Sequence, residues 1–296
     1  MSIISTSPSH NNNLPKPSHN AAMKQVLKAA SLISFAAISQ SALAGAWTAA
    51  EGGGYNKLAV SGYEATDFYG DSEGFDEFKG DNYSLYFEHG VRDDITLFGT
   101  FLYQDLEQTN SAGLTTTNDG FSDIEIGLRK RLIDGPTIVS TSFLVKVPYL
   151  YDKNDELPLG NGQTDYEARI LVGRSLYPFG YIGLEAGYRV RADDPSDEYR
   201  YLLEYGISAG DNLYFRTKLD GTESAKNGER ISTDGINLSA TNEFNLGKFE
   251  LTVGWAFDKS NGAKSKWGLE ATYNQDVYGD NALNGGGYQV GLTREY

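Results

Sequence analysis

In several successive segments apolar and polar residues alternate, so that every second side chain points the same way. The charged residues among these polar positions are the side chains of this chain best suited to act on a solute. They are Arg169, Glu185, Arg189, Arg191, Arg200, Glu204, Arg216 and Lys218. If these side chains line an interior, their positive charges could steer anionic solutes inwards, because low-dielectric walls focus the field of a charge. Alternatively, the acids and bases neutralise one another as a network of ion pairs. The residue types allow both interpretations.

The side chains that most often act as bases or nucleophiles are scarce. After residue 44 the chain has one histidine, His89, and it has no cysteine anywhere. A thiol nucleophile, a thiolate metal site and a disulfide framework are therefore excluded. His89 lies just before a tight turn at 91–94 and shares the parity of the apolar Tyr83 and Phe87, so we expect an anchor at a strand end rather than a base. We predict no catalytic residue.

Acidic residues cluster in three polar segments, 71–77, 151–156 and 193–198. Carboxylates at this density could hold Ca²⁺ or Mg²⁺, including ions that bridge lipid phosphates. None of the segments has the spacing of a dedicated calcium loop, so solvated loop charge is the simpler interpretation. We predict no metal site and no cofactor.

Strands would position these residues, because apolar and polar side chains alternate over most of the chain after residue 45. In the segment 123–129, isoleucine and leucine alternate with acids and arginine, and the pattern recurs at 95–103, 139–149, 199–207 and 251–257. Period two predicts strands with one apolar and one polar face. No run of about twenty apolar residues, the length of a membrane helix, follows residue 44.

The connections between these strands are of two lengths, and the two lengths alternate. Tight turns are expected at 91–94, 134–136, 177–180, 210–212 and 246–248, and long polar loops at about 65–81, 106–120, 150–163, 192–198, 221–234 and 259–266. A secreted β-sandwich would also alternate, but its connections would not be sorted by length. Short turns at one end and long loops at the other are typical of an outer-membrane barrel. We therefore predict an all-β fold, a transmembrane antiparallel up-and-down β-barrel.

Both ends of the barrel chain should lie in the periplasm, which requires an even number of strands. Eleven segments up to residue 260 and one at the C-terminus predict about twelve strands. The segment 267–274 also alternates and, with 277–284, could raise the number to fourteen. Twelve strands leave limited room inside, because barrel diameter scales with strand number. This favours the ion-pair network over a basic patch that steers anions.

The first 44 residues are expected to lie outside the folded domain. Residues 1–22 are rich in Ser, Asn and Pro, which indicates a disordered leader from a start assigned too early. Residues 23–44 have two lysines, a short apolar run and small residues, Ala42 and Ala44, at a cleavage site, the pattern of a secretory signal peptide. The domain 45–296 then has 22 basic and 40 acidic residues, a net charge of −18. This acidic excess excludes a nucleic-acid partner, which requires a basic face.

The last residues alternate and end on an aromatic side chain. Tyr288, Val290, Leu292 and Tyr296 share one parity. This resembles the C-terminal strand by which outer-membrane barrels are recognised for insertion, although Arg294 stands where an apolar residue is usual. The resemblance implies the barrel-assembly machinery, outer-membrane lipid and lipopolysaccharide as partners.

The start of the predicted barrel carries a family resemblance. Gly45-Ala46-Trp47-Thr48, a glycine step at 52–54 and Tyr55-Asn56-Lys57-Leu58 resemble outer-membrane barrels grouped as XagA-like and phenol-degradation MetA-pathway proteins. The resemblance implies a channel or transporter for small organic solutes in the cell outer membrane. Two other functions stay open: a closed barrel with a structural or surface-binding role through its acidic loops, and a lipid-modifying enzyme. We predict that the protein is not an enzyme.

Overall fold

A computed structural model describes residues 45–70, 75–192, 195–228, 243–257 and 266–296. Within these ranges it contains thirteen β-strands: β1 (Gly54–Tyr69), β2 (Phe75–Arg92), β3 (Ile95–Asn110), β4 (Thr115–Phe121), β5 (Ile124–Ile133), β6 (Thr137–Val147), β7 (Asp165–Ser175), β8 (Tyr181–Arg191), β9 (Glu198–Ala209), β10 (Leu213–Ser224), β11 (Asn245–Ala256), β12 (Lys266–Asp280) and β13 (Ala282–Glu295). None of the residues in these ranges forms a helix long and apolar enough to cross a membrane.

The sheet closes on itself. Neighbouring strands pair antiparallel in chain order from β5 to β13, β13 pairs with β1, and β1 and β3 both pair with β2. The seam between β1 and β13 runs from Tyr55 opposite Glu295 to Tyr69 opposite Ala282. Closure removes the free edges that would otherwise attract other strands. The result is a closed 12-strand antiparallel barrel plus one extra strand, which confirms the predicted fold class.

The extra strand, β4, and the following strand, β5, both pair with β3 and together take the place of one wall strand, which is interrupted between them. Residues 95–100 of β3 pair with β5, and residues 103–109 pair with β4. The break falls at Ser122–Asp123, where the Ser122 hydroxyl donates a hydrogen bond to the carbonyl of Leu159 in the following long loop. Since β6 ends at Val147, that loop lies beside β4 in the position that a longer β6 would occupy.

The two faces of the wall have opposite polarity. Large apolar side chains remain exposed on the outer face, among them Leu58, Val60, Tyr83, Leu85, Ile126, Leu128, Phe143, Ile170, Leu251, Val253, Val290 and Leu292. Most of the buried charged side chains lie on the inner face, where they contact one another. An apolar exterior with a polar interior is the arrangement that suits a barrel surrounded by lipid.

The structure corrects two of the expected connections. Residues 246–248, expected to form a turn, lie inside β11, and residues 266–280 form one long strand rather than a loop or two strands. At the end of the barrel with the short turns, the Ala256 amide donates to the carbonyl of Asn212. The connection from β11 to β12 therefore joins strands at this short-turn end, and it is not one of the long loops at the opposite end.

Gly247 explains the first of these errors. A β-carbon on this glycine would lie 1.9 Å from Cε1 of Tyr278, so the glycine makes room for a ring from the neighbouring strand rather than for a turn. The hairpin between β12 and β13 turns instead at Asn281, which has a φ of 54°. Asparagine tolerates this left-handed conformation better than most residues. From the sequence alone, a glycine in a polar segment does not reveal whether it forms a turn or makes room for a ring on a neighbouring strand.

Candidate functional site

The barrel encloses a cavity of about 800 Å³. It extends from Gly45 near the short-turn end to Phe78, Leu106 and Leu283 near the long-loop end. Strands β1–β3 contribute mostly neutral side chains to its lining, whereas β7–β12 contribute most of the charges. Two segments of the chain fold into the lumen from opposite ends.

Residues 45–53, which we call the N-terminal segment, enter the lumen from the short-turn end. Side chains of the wall hold the backbone: the Ser140 hydroxyl donates to the carbonyl of Ala46 at 2.5 Å, and Arg129 donates to the carbonyl of Trp47 at 2.9 Å. The apolar side chains of the segment pack on Ile138, Leu171 and Tyr181. Backbone carbonyls inside a barrel need such partners, and these bonds fix the segment across the short-turn end.

Residues 148–164, which we call the seal loop, enter the lumen from the long-loop end. Leu157 and Leu159 are 1% and 4% exposed. They complete an apolar cluster with Ala65, Phe68, Phe78, Leu106 and Leu283 of the wall. The side-chain amide of Asn118 on β4 donates to the carbonyl of Leu157 at 2.9 Å and anchors the loop. Because apolar side chains exclude water and polar solutes, this cluster covers the part of the outer end formed by β1–β3 and β13.

Tyr151 ties the seal loop to the wall. Its hydroxyl donates to Oδ1 of Asp123 at 2.5 Å and accepts from the amide of Gly162 at 2.8 Å. Burial and the hydrogen bond to the Asp123 carboxylate raise the pKa of Tyr151 above its ordinary value, because both favour the neutral phenol. The raised pKa means that this bond stabilises the docked loop fully below about pH 10 and that its contribution is lost as the pH rises towards the folded pKa.

Each of the eight charged residues singled out by the sequence has an oppositely charged partner. The ion pairs are Arg169–Glu167, Arg169–Glu185 (3.0 Å), Arg189–Glu167 (2.8 Å), Arg189–Glu125 (3.0 Å), Arg191–Glu198 (3.2 Å), Arg200–Glu198 (3.0 Å), Arg216–Glu270 (3.4 Å) and Lys218–Glu204 (3.5 Å). All of the eight except Arg191 line the cavity. The arrangement is that of an ion-pair network, and it gives the arginines carboxylate partners that oppose their attraction for anions.

The sequence analysis missed four glutamates of this network: Glu125, Glu167, Glu198 and Glu270. A signal for them was present, because each lies on the polar parity of its own strand. They were missed because period two shows which way a side chain points but not which distant strand lies opposite it.

Glu270 on β12 joins strands that do not pair with each other. It is 1% exposed. Lys57 of β1 reaches it at 2.7 Å and the Tyr214 hydroxyl of β10 at 2.6 Å, and Arg216 lies 3.4 Å away. A carboxylate this deeply buried is tolerated only when donors surround it. The contact therefore stabilises three strands that are separated by β11 and β13.

Other predicted residues lie away from the cavity. His89 stacks on Tyr296 at the short-turn end, with Nδ1 3.3 Å from the phenol oxygen, so it is far from the seal loop. Tyr288, Val290 and Leu292 are exposed on the outer face of β13. The predicted cleavage residues Ala42 and Ala44 lie outside the described residues.

The acidic segments contain local hydrogen bonds. Asp152 accepts from the backbone and side-chain amides of Asn154, and these bonds lower the pKa of its carboxyl. Residues 71–74 and 193–194 of the other two segments lie outside the part of the chain that the structure describes. Within that part, no group of three or more His, Cys, Asp and Glu side chains is arranged to hold a metal ion.

Comparisons with known proteins agree with this architecture. No family model matches the chain, and no curated protein matches it. Among solved structures, the chain is similar to the COG4313 outer membrane channel from Pseudomonas putida F1, with a TM-score of 0.67 and 14% identity over 85% of this chain and 98% of that one. It is also similar to the NanC porin, with a TM-score of 0.50 and 13% identity over 79% of this chain and 98% of that one. At these identities the likeness shows the fold alone, an outer-membrane type of β-barrel, and the resemblance to XagA-like and MetA-pathway barrels stays a prediction.

Proposed function

We propose that the protein is an outer-membrane channel that admits small organic solutes. The observation that carries the proposal is a cavity of about 800 Å³ inside the barrel, together with two chain segments that pack against the inner wall near its two ends. A cavity of about 300–1,000 Å³ is typical of small-molecule sites. Displacing the N-terminal segment and the seal loop would connect the cavity to both sides of the barrel. The likeness in fold to a channel and a porin supports this proposal.

The paired charges support weak ion selectivity rather than the steering of anions. Arg200 and Arg216, for example, each lie within 3.4 Å of a glutamate oxygen. The fields of two opposite charges at this separation largely cancel a few ångströms away. We therefore expect a solute to meet a polar but nearly balanced wall along β7–β9.

In this proposal the exposed apolar face contacts outer-membrane lipid, and the long-loop end faces lipopolysaccharide and the exterior. Export would use the signal peptide at 23–44, and the barrel-assembly machinery would recognise the final strand through Tyr288, Val290, Leu292 and Tyr296. Exposed tyrosines near strand ends, such as Tyr149, Tyr166 and Tyr199, support a membrane position, because amphipathic rings favour the interface between lipid and water.

Planar-bilayer recordings of refolded residues 45–296 test the proposal. A channel gives discrete current steps, and the pairing of the arginines predicts a reversal potential that shows no preference for anions in a salt gradient. A preparation without protein is the control. The absence of steps would contradict the proposal and favour a closed barrel that binds through its outer loops, and a strong preference for anions would favour the steering interpretation instead.

Replacing Tyr151 with phenylalanine should loosen the seal loop at neutral pH, because the variant lacks the hydroxyl that binds Asp123 and Gly162. In bilayers we expect more frequent openings for Tyr151→Phe than for the wild type. Above about pH 10 the wild type should open progressively more often, because the phenol of a displaced loop ionises there while the docked phenol does not, whereas the variant should show no such rise. Tyr149→Phe, at an exposed tyrosine of the same loop, is the matched control, and identical gating of all three proteins would contradict the role of Tyr151.

A further inference from the structure

Several buried acids of the lumen are bound by two or more donors, but Asp220 and Glu250 are not. Glu88 binds Tyr86 and Arg129, and Glu204 and Glu270 are bound by tyrosines and basic residues in the same way. By contrast, Asp220 and Glu250 line the cavity and have neither a hydrogen bond nor an ion pair to any residue that the structure describes. The ion-pair network therefore ends before it reaches the long-loop half of β10–β12.

The sheet register aligns this second group of residues. Asp220 of β10 lies opposite Lys248 of β11, and Lys248 lies opposite Asp276 of β12, so the three form a row across adjacent strands. One step nearer the short-turn end, Glu250 lies opposite Asn274. All five residues line the cavity. Lys218 of β10 lies opposite Glu250 and also pairs with Glu204. Counting both lysines against the three acids leaves this part of the lumen with an excess of one negative charge.

Three oxygen atoms in the group lack donors. Asp276 is 3% exposed, and its Oδ2 accepts from the Tyr63 hydroxyl at 2.6 Å and from the amide of Gly285 at 3.1 Å. Its Oδ1 has no hydrogen-bond partner among the described residues, and the same holds for Oδ1 of Asp220 and of Asn274. Unpaired buried acceptors are unfavourable, and a ligand that carries hydrogen-bond donors would satisfy these three atoms.

An aromatic and apolar wall adjoins the unpaired acceptors. The Tyr63 ring packs edge-to-face against Phe78 with centroids 6.2 Å apart, and Nζ of Lys248 lies 5.6 Å from the Tyr63 ring centre. Leu106 and Leu283 line the same region. Lys248 already provides the cation at the Tyr63 ring. The rings and the leucines therefore suit the apolar part of a ligand, and the attraction for its positive charge comes from the acids.

We propose that Asp220, Glu250, Asn274 and Asp276 bind a small organic ammonium ion beneath the seal loop, with its apolar part against Tyr63 and Phe78. The assignment rests on the proposed channel function for the access of the ligand. An ammonium group supplies both the donors and the positive charge that the site lacks, and a hydrogen bond between an ammonium and a carboxylate is stronger than a neutral one. A neutral alcohol would supply donors without charge, and an organic anion would supply neither.

Calorimetric titration of the detergent-solubilised protein with benzylammonium tests the proposal without requiring conduction. We expect benzylammonium to bind at least about tenfold more tightly than benzyl alcohol or benzoate. The double variant Asp220→Asn with Asp276→Asn should weaken benzylammonium binding at least about tenfold. Asp105→Asn removes the same type of charge from an exposed position on the outer face of β3 and should leave the affinity unchanged.

The comparison of the three ligands uses the wild-type barrel, so it remains valid even if the double variant fails to fold. Equal binding of benzyl alcohol, tighter binding of benzoate, no binding of any ligand, or an unchanged affinity in a folded double variant would overturn the assignment. Current steps in a bilayer without benzylammonium binding would refute this site alone, whereas binding without current steps would refute the channel function alone.

Discussion

Replacing Glu270 with alanine should destabilise the barrel by about 3–5 kcal/mol, the typical cost of removing one partner from a buried ion pair. The variant would leave Lys57 and Arg216 buried without the carboxylate that both now contact at 2.7 and 3.4 Å. It would also remove the link between β1, β10 and β12. Folded outer-membrane-type barrels migrate differently from unfolded chains on gels run without heating, and the temperature at which this difference disappears measures the effect.

Two further variants show whether the effect comes from the buried charge. Glu270→Gln keeps the size of the side chain and an acceptor oxygen but lacks the charge, so its stability should lie between those of the wild type and Glu270→Ala. Glu64→Ala removes an exposed glutamate from β1, and surface changes of this kind usually alter stability by no more than about 0.5 kcal/mol. Equal destabilisation by the two alanine variants would contradict the importance of the ion-pair network.

Replacing Leu157 and Leu159 together with serine should open the long-loop end of the lumen. Each leucine is almost fully buried in the apolar cluster, and burial of a leucine contributes about 1.5–3 kcal/mol. Losing both contributions should shift the balance between a docked and a displaced seal loop by at least about a hundredfold, since 1.4 kcal/mol corresponds to tenfold. Single-channel recordings should therefore show a large rise in open probability.

Leu150 provides the matched control for the seal loop. It belongs to the same segment but is 72% exposed, so Leu150→Ser should gate like the wild type. If the double variant folds, as its gel mobility would show, and still opens no more often than the wild type, then the apolar cluster is not the barrier to conduction.

The sequence predicted the wall of the barrel well because alternation reports the environment of each residue directly. It was less accurate at the long-loop end, where the expected loops at 65–81 and 106–120 are mostly strand. There β1 continues to Tyr69, and β3 continues to Asn110. Backbone hydrogen bonds hold these extensions together without an apolar outer face, so the pattern that indicates a strand fades before the strand ends.

The contents of the lumen were harder to predict. The parity of Arg169 or Arg216 indicated that each side chain points inward, but the contact between Lys57 and Glu270 joins residues 213 positions apart. Such a contact depends on the register of several strands at once. The seal loop had a simpler signal, because Leu157 and Leu159 are apolar residues in an otherwise polar segment. An apolar pair in a polar loop indicates that the loop packs against something, but not that it enters the barrel.

A single introduced cysteine can test whether current passes through this lumen, because the natural chain has none. Ser84 lines the cavity, whereas the next residue, Leu85, is exposed on the outer face. A charged methanethiosulfonate reagent added to a bilayer that contains open channels should reduce the current through Ser84→Cys and leave the current through Leu85→Cys unchanged. Mass spectrometry shows whether Ser84→Cys has been modified completely. If it has and the current is unaltered, the result contradicts a conducting pathway through the barrel.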